Sequence, residues 1–277
     1  MTDDRPDAAT GDADARLFAL DLIRGVAVLG ILAVNIAGFA GPTAATYTPR
    51  AVLPPDPLAD GLFAGMLVLF EGKMRALFSI LFGASMMLFV ERADAAGRDG
   101  QMLQLRRLGW LALLGYLHFA LLWWGDILFL YAIAGGIALA FRHMPMRGIA
   151  IVALFAFTVW QAQGIASRLP SALAEYGVAD GTADAAAARG AAVNAQRWQQ
   201  RIDAEMAHYR LGFAEQARER LSKEPFEPVR GALFTIGETV PYMLAGMLLY
   251  MTGFFAGEWP RRRLRAITLA GIGLGGA

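Results

Sequence analysis

The run RRLGWLALLGYLHFALLWWGDILFLYAIAGGIAL (106–139) decides the class of fold. It spans two apolar blocks, 108–124 and 127–141 (the second running two residues past it), hinged at Trp123-Trp124-Gly125-Asp126, with Arg106 and Arg107 before the first block and Arg142 just after the second. A helix needs about twenty apolar residues to cross roughly 30 Å of hydrocarbon. Tryptophans gather at the membrane–water boundary, and arginines stay on the cytoplasmic side. The run therefore reads as a membrane helical hairpin. Further blocks of this kind lie on either side, at 17–40, 74–90, 148–166 and 231–255, with a last one opening at 264.

The whole chain agrees with this reading. Of its 277 residues 56% are hydrophobic and 18% charged, its formal net charge is +1 and its mean hydropathy is +0.43. A soluble domain carries about 25% charged residues. A soluble globular enzyme, a disordered chain and a nucleic-acid binder are excluded, the last because no basic stripe stands out. With no cysteine there is neither a disulfide framework nor a thiolate metal site. No Walker A, HExxH, GxSxG or metal-spaced histidine pair occurs, so no metal is expected.

The expected fold is all-α: a polytopic transmembrane helix bundle of about six to seven spans. Residues 1–15, small and acidic, read as a disordered cytoplasmic tail. Residues 16–166 hold the first five spans, together with an interfacial or re-entrant helix near 58–70, too short to cross. The five prolines of 41–57 keep that segment extended. Residues 167–229 form an extracytoplasmic loop, made helical and amphipathic by Trp198, Ile202, Tyr209 and Phe213 at three- or four-residue multiples. Residues 230–277 hold the sixth span and the start of a seventh. AITLAGIGLGGA after the last arginine cluster is too short to cross, which reads as a C-terminal truncation. With the N-terminus inside, ten arginines fall in inside loops against Arg50 alone in the short outside ones. The chain is expected in a bacterial inner membrane, multi-pass, in contact with the lipid bilayer and a small-molecule substrate but no nucleic acid, and compatible with an oligomer.

Charge inside a membrane costs at least about 2.5–3.5 kcal/mol, so such residues mark cavities, partners or paths. Asp21, Arg24 and Asn35 fall on one stripe of the first span with Gly25 beside them, a stripe that should face protein. Asp21 and Arg24 at i, i+3 are either a structural ion pair or a cationic anchor for phosphate or carboxylate. Glu71 and Arg75 share a face with Ser79 and Gly83, and Lys73 stands beside them. They either snorkel or wall a cavity at the helix break 71–73, where backbone groups would meet a ligand. His118, one turn from Gly115, is either a packing element or a general base. Asp126 suits a helix cap. Glu238, three residues before Pro241, needs a basic partner among Lys73, Arg75 and His118. Together Asn35, Glu71, Lys73, Arg75, His118 and Glu238 are expected to form one outer polar cluster.

LDLIRGVAVLGILAVNI (20–36), GKMRALFSILFGASMMLFVERA (72–93), the hairpin 106–139 and ETVPYMLAGMLLYMTGFF (238–255) resemble, in the same order, the YeiB-like family of bacterial inner-membrane proteins of unknown function. More distantly, the Asp21…Arg24-Gly25…Asn35 pattern is similar to a superfamily of transmembrane acyltransferases that includes heparan-α-glucosaminide N-acetyltransferase. That resemblance implies acyl-CoA as cytoplasmic donor and an acceptor on the outer side. Arg24 would hold the donor, His118 and Glu238 would deprotonate the acceptor, and Asn35 with Lys73 or Arg75 would stabilise the oxyanion. The acetyltransferase carries its histidine just after the first span, whereas residues 36–57 here contain none. The competing readings are a transporter of a small anionic solute and a structural membrane protein.

Overall fold

Apolar helices in a membrane must find specificity in packing rather than in burial from water, and glycines that let two backbones meet supply it here. The computed structural model describes residues 8–42, 46, 50 and 54–275. The expected tail over 1–7 and most of the proline-rich segment fall outside the described residues. Among those described there is no strand. The helices are α1 (Ala8–Ala40), α2 (Pro57–Leu69), α3 (Lys73–Ala95), α4 (Gly100–Leu121), α5 (Leu128–Ala140), α6 (Met146–Asp180), α7 (Ala185–Tyr209), α8 (Phe213–Lys223), α9 (Glu227–Met251) and α10 (Arg261–Gly275).

Helix α9 is central and packs on α3, α5 and α6. Helix α1 lies on α3, α4 lies on α5 and α3, α7 follows α6, and α8 rests on α4. The core is built from Met86, Val90, Tyr131, Ala134, Ile149, Met243, Leu244 and Met247 of four of these helices. Where α3 crosses α9, a Cβ on Gly83 would run into the carbonyl of Met243, and one on Gly246 into the carbonyl of Ile80. The contact is reciprocal, glycine on backbone in both directions.

The connections alternate between two ends. One end gathers the 122–127 turn, the α2–α3 break and the N-terminus of α9; it is called the tryptophan end. At the other, the arginine end, Arg142 donates to Asp94 at 3.1 Å and Tyr250 to Glu91 at 2.6 Å. Among the described residues three stretches are long and apolar enough to cross a membrane: Pro57–Ala95, which contains the α2–α3 break, Met146–Asp180 and Glu227–Met251. The shorter α5 has thirteen residues, about 20 Å, and is enclosed on most sides. The outer surface suits lipid: Leu29 on α1 and Ile151, Leu154 and Phe155 on α6 are all about two-thirds exposed. This chain is an all-α membrane protein.

Two boundaries differ from the sequence-based expectation. Helix α1 begins at Ala8, because Ala8, Ala9, Ala13 and Ala15 are strong helix formers. Helix α6 continues past 166 and through Pro170 to Asp180, where Gly181 at φ +79° closes it. At 35 residues, about 52 Å, it outruns the hydrocarbon and carries α7 beyond it. The stretch 58–70 is a separate helix, α2, capped by Asp56 on the Leu58 N–H and free of fully buried residues.

Gly83→Leu and Gly246→Leu should each destabilise the bundle by at least about 1–3 kcal/mol through overpacking. Gly25→Leu, where nothing lies within 4 Å of the added Cβ, should change stability by less than about 0.5 kcal/mol. Thermal unfolding of the three variants in detergent reads the difference.

Candidate functional site

Glu71-Gly72-Lys73 breaks the helix because Gly72 takes φ +71°, a left-handed value no other residue adopts readily. The break turns the first residues of α3 across the tryptophan end. There a cavity of about 250 Å³ is lined by Ile31 and Asn35 of α1, Glu71, Gly72 and Arg75 at the break, and Trp123, Trp124 and Asp126 of the turn. Glu227, Gly231 and Thr235 of α9 complete it. Its walls thus come from α1, the α2–α3 break, the 122–127 turn and α9.

Arg75 is the cation of the cavity. Its Nη2 donates to Glu238 on α9 at 3.1 Å and stands 4.0 Å from Glu71. Its backbone carbonyl accepts from Ser79 at 2.8 Å and from the Tyr131 hydroxyl at 3.2 Å, and Ser79 and Tyr131 lie 2.7 Å apart. The guanidinium is therefore held by side-chain pairing, and the Arg75 backbone by a buried tie to α5. Glu238, which needed a basic partner, has Arg75.

Asp126 is the second anchor. Its Oδ2 accepts the Phe129 N–H at 2.8 Å and caps the first turn of α5. Its Oδ1 lies 3.3 Å from His118 Nδ1. Both atoms are buried and neither has a hydrogen bond of good geometry. Gly115 makes this approach possible, since a Cβ there would meet the Phe129 backbone and the Asp126 carboxylate. Asp126 is a cavity residue as well as a cap.

The expected cluster is thus redrawn. Asn35, Glu71, Arg75 and Asp126 meet at the cavity. Glu238 stands behind Arg75 and His118 behind Asp126, so His118 and Glu238 do not form one pair. Lys73 is exposed and is not among the cavity's lining residues. It sits two residues from Arg75, about 200° round the helix. The first-span stripe also shifts. Ala27, Gly30, Val34 and Gly38 form the protein face of α1, which leaves Gly25 on the opposite side and Asp21 exposed. Arg24 pairs with Asp21 at 2.6 Å and donates to Ser85 on α3 at 2.5 Å.

The sequence reading missed what closes the cavity. Tyr209, at the end of α7, donates to the Gly38 carbonyl at 2.9 Å and accepts from Trp124 Nε1 at 2.8 Å. Trp123 Nε1 reaches the same carbonyl at 3.2 Å. The loop helices are clasped to the mouth by aromatic donors whose partners lie 85 and 171 positions away, a distance no local pattern encodes.

No protein-family model matches the chain, and no solved structure matches it. It is 36% identical over 143 residues to the uncharacterized protein YxaH of Bacillus subtilis (strain 168), a match covering 50% of this chain and 36% of that protein. It is 37% identical over 129 residues to an uncharacterized 39.9 kDa protein in the amylase 3′ region of Bacillus acidopullulyticus, covering 46% and 34%. It is also 37% identical over 123 residues to the uncharacterized protein YeiB of Escherichia coli (strain K12), covering 43% and 29%. The chain spans about a third of the length of these relatives. They agree with the YeiB-like resemblance read from the motifs.

Removing either partner of the Arg75–Glu238 pair should cost about 1–2 kcal/mol, discounted for their partial exposure. The double variant Arg75→Met/Glu238→Leu should cost less than the two singles added together. A double-mutant cycle on thermal stability measures the coupling.

Proposed function

We propose that the cavity is the acceptor pocket of a membrane-embedded acyltransferase. The observation that carries the reading is the meeting of Asn35, Arg75 and Asp126 on one small pocket, with His118 3.3 Å behind Asp126. Asp126 takes the proton of an acceptor hydroxyl or amine, and His118, whose second ring nitrogen can exchange with the surroundings, receives the charge. The acceptor oxygen or nitrogen bonds to the thioester carbonyl, whose developing oxyanion is met by Arg75 and the Asn35 amide. Collapse breaks the carbon–sulfur bond and expels the thiolate, which takes up the proton that the Asp126–His118 pair removed from the acceptor and returns through water. Glu238 holds Arg75 in position and is not the base.

The donor would be acyl-CoA, entering from the arginine end. The charge rule makes that end cytoplasmic, in a bacterial inner membrane with the N-terminus inside. Arg24, eleven residues before Asn35 and so about 17 Å along α1, would hold the donor's phosphates. The pantetheine arm of CoA is long and thin enough to bridge such a gap. A carrier of small anions fits less well: Arg75 is neutralised by Glu238 and faces Glu71 and Asp126 as well, and Lys73 is turned away.

The test is transfer by the full chain in detergent or liposomes with radiolabelled acetyl-CoA and a panel of hydroxyl and amine acceptors. Asp126→Asn should lower the transfer rate by at least about 10²-fold with donor binding retained, and Arg24→Gln should weaken donor binding. Anion uptake by sealed vesicles without donor consumption would favour the carrier instead.

A further inference from the structure

A second cavity, of about 450 Å³, lies between the loop helices and the tryptophan end. Arg201, His208 and Tyr209 of α7, Arg220 and Lys223 of α8, and Trp124 are among the residues that line it. Trp124 and Glu227 also line the candidate site, so the two cavities share a wall.

Arg220 is the anomaly. It is only 5% exposed, on a helix where Ala217 is the one other buried residue. Its Nε donates to the Ala120 carbonyl at 3.3 Å, but Nη2 is buried with no hydrogen-bond partner. Among the described residues no carboxylate forms an ion pair with it. Four carboxylates also line the cavity: Glu219 accepts from Lys223 and from His208, Glu227 pairs with Arg230 at 2.6 Å, and Glu205 and Glu224 lie on the same wall without forming an ion pair with Arg220 among the described residues. Burying a guanidinium without a counter-charge is costly, and burial lowers its pKa from the usual value. Arginine stays charged regardless, and its planar fork matches oxyanions in two-point contact.

We infer that this second cavity is a phosphate-binding site centred on Arg220, with Arg201 as supporting cation. The phosphate is either free or the headgroup of an anionic lipid, since the cavity adjoins the membrane end of α4. The inference does not rest on acyl transfer and stands if that reading fails. The Ala120 contact alone would make Arg220 a tie between α8 and α4, a role that involves no ligand.

The test uses the full chain in detergent, titrated with inorganic phosphate by calorimetry and thermal shift. A parallel arm reconstitutes it in phosphatidylcholine with and without phosphatidylglycerol and reads retained lipid by native mass spectrometry. Saturable phosphate binding, or selective retention of phosphatidylglycerol, is expected in the wild type. Either should weaken at least tenfold in Arg220→Gln and less in Arg220→Lys. Should Arg220→Gln not fold, the exposed Arg201→Gln is expected to weaken binding two- to fivefold at unchanged melting temperature. Binding of neither ligand by the wild type, or equal binding by wild type and variants, overturns the site.

Discussion

The close crossing of α3 on α9 governs the rest of the architecture. Gly83 and Gly246 each accept the other helix's backbone where a side chain would stand, which fixes both separation and register. In a lipid environment that fit replaces the hydrophobic drive that would hold two helices together in water. Two turns from Gly83 along α3, the same register brings Arg75 to Glu238. A slip of one residue would turn each by 100° and leave two unpaired charges in the membrane.

From that seam the candidate site follows by short steps. The Arg75 carbonyl holds Tyr131, and through it α5, against α3. Helix α5 starts where Asp126 caps it, and Asp126 lies against His118 because Gly115 leaves room. Helix α1 closes the cavity with Asn35 and is held to α3 by Arg24 and Ser85. Arg75 is thus matched by Glu238 and Glu71, and Arg24 by Asp21, which is how a membrane tolerates ionisable groups near one another. Asn35, Glu71, Arg75 and Asp126 line a small hollow, whereas Lys73 and Asp21 are exposed outside it.

Most of the helices were legible in the sequence because a membrane imposes one strong pattern, long apolar blocks ended by arginines or tryptophans. The Glu71–Lys73 break was legible for a related reason, a polar triplet with glycine between two apolar runs. Which residues converge was legible only in part. Intramembrane charge flags Glu238 and Arg75, but choosing Arg75 over Lys73 depends on the face α3 shows to α9, and that is set by glycines on both helices. Asp126 read as a cap, which it is; its second oxygen, turned to His118, is a tertiary fact. Arg220 and Tyr209 sit among ordinary amphipathic residues and are marked out only by burial and by partners far along the chain. Helix α6 runs on through Pro170, which removes one backbone hydrogen bond without ending the helix.

The central claim is that Asn35 faces a water-accessible cavity shared with Arg75 and Asp126, not lipid. Because the chain has no cysteine, single-cysteine labelling tests it directly. Asn35→Cys should react with a hydrophilic, membrane-impermeant maleimide, and Leu29→Cys, two-thirds exposed on the lipid face of the same helix, should not. An Asn35→Cys as unreactive as Leu29→Cys would contradict the account.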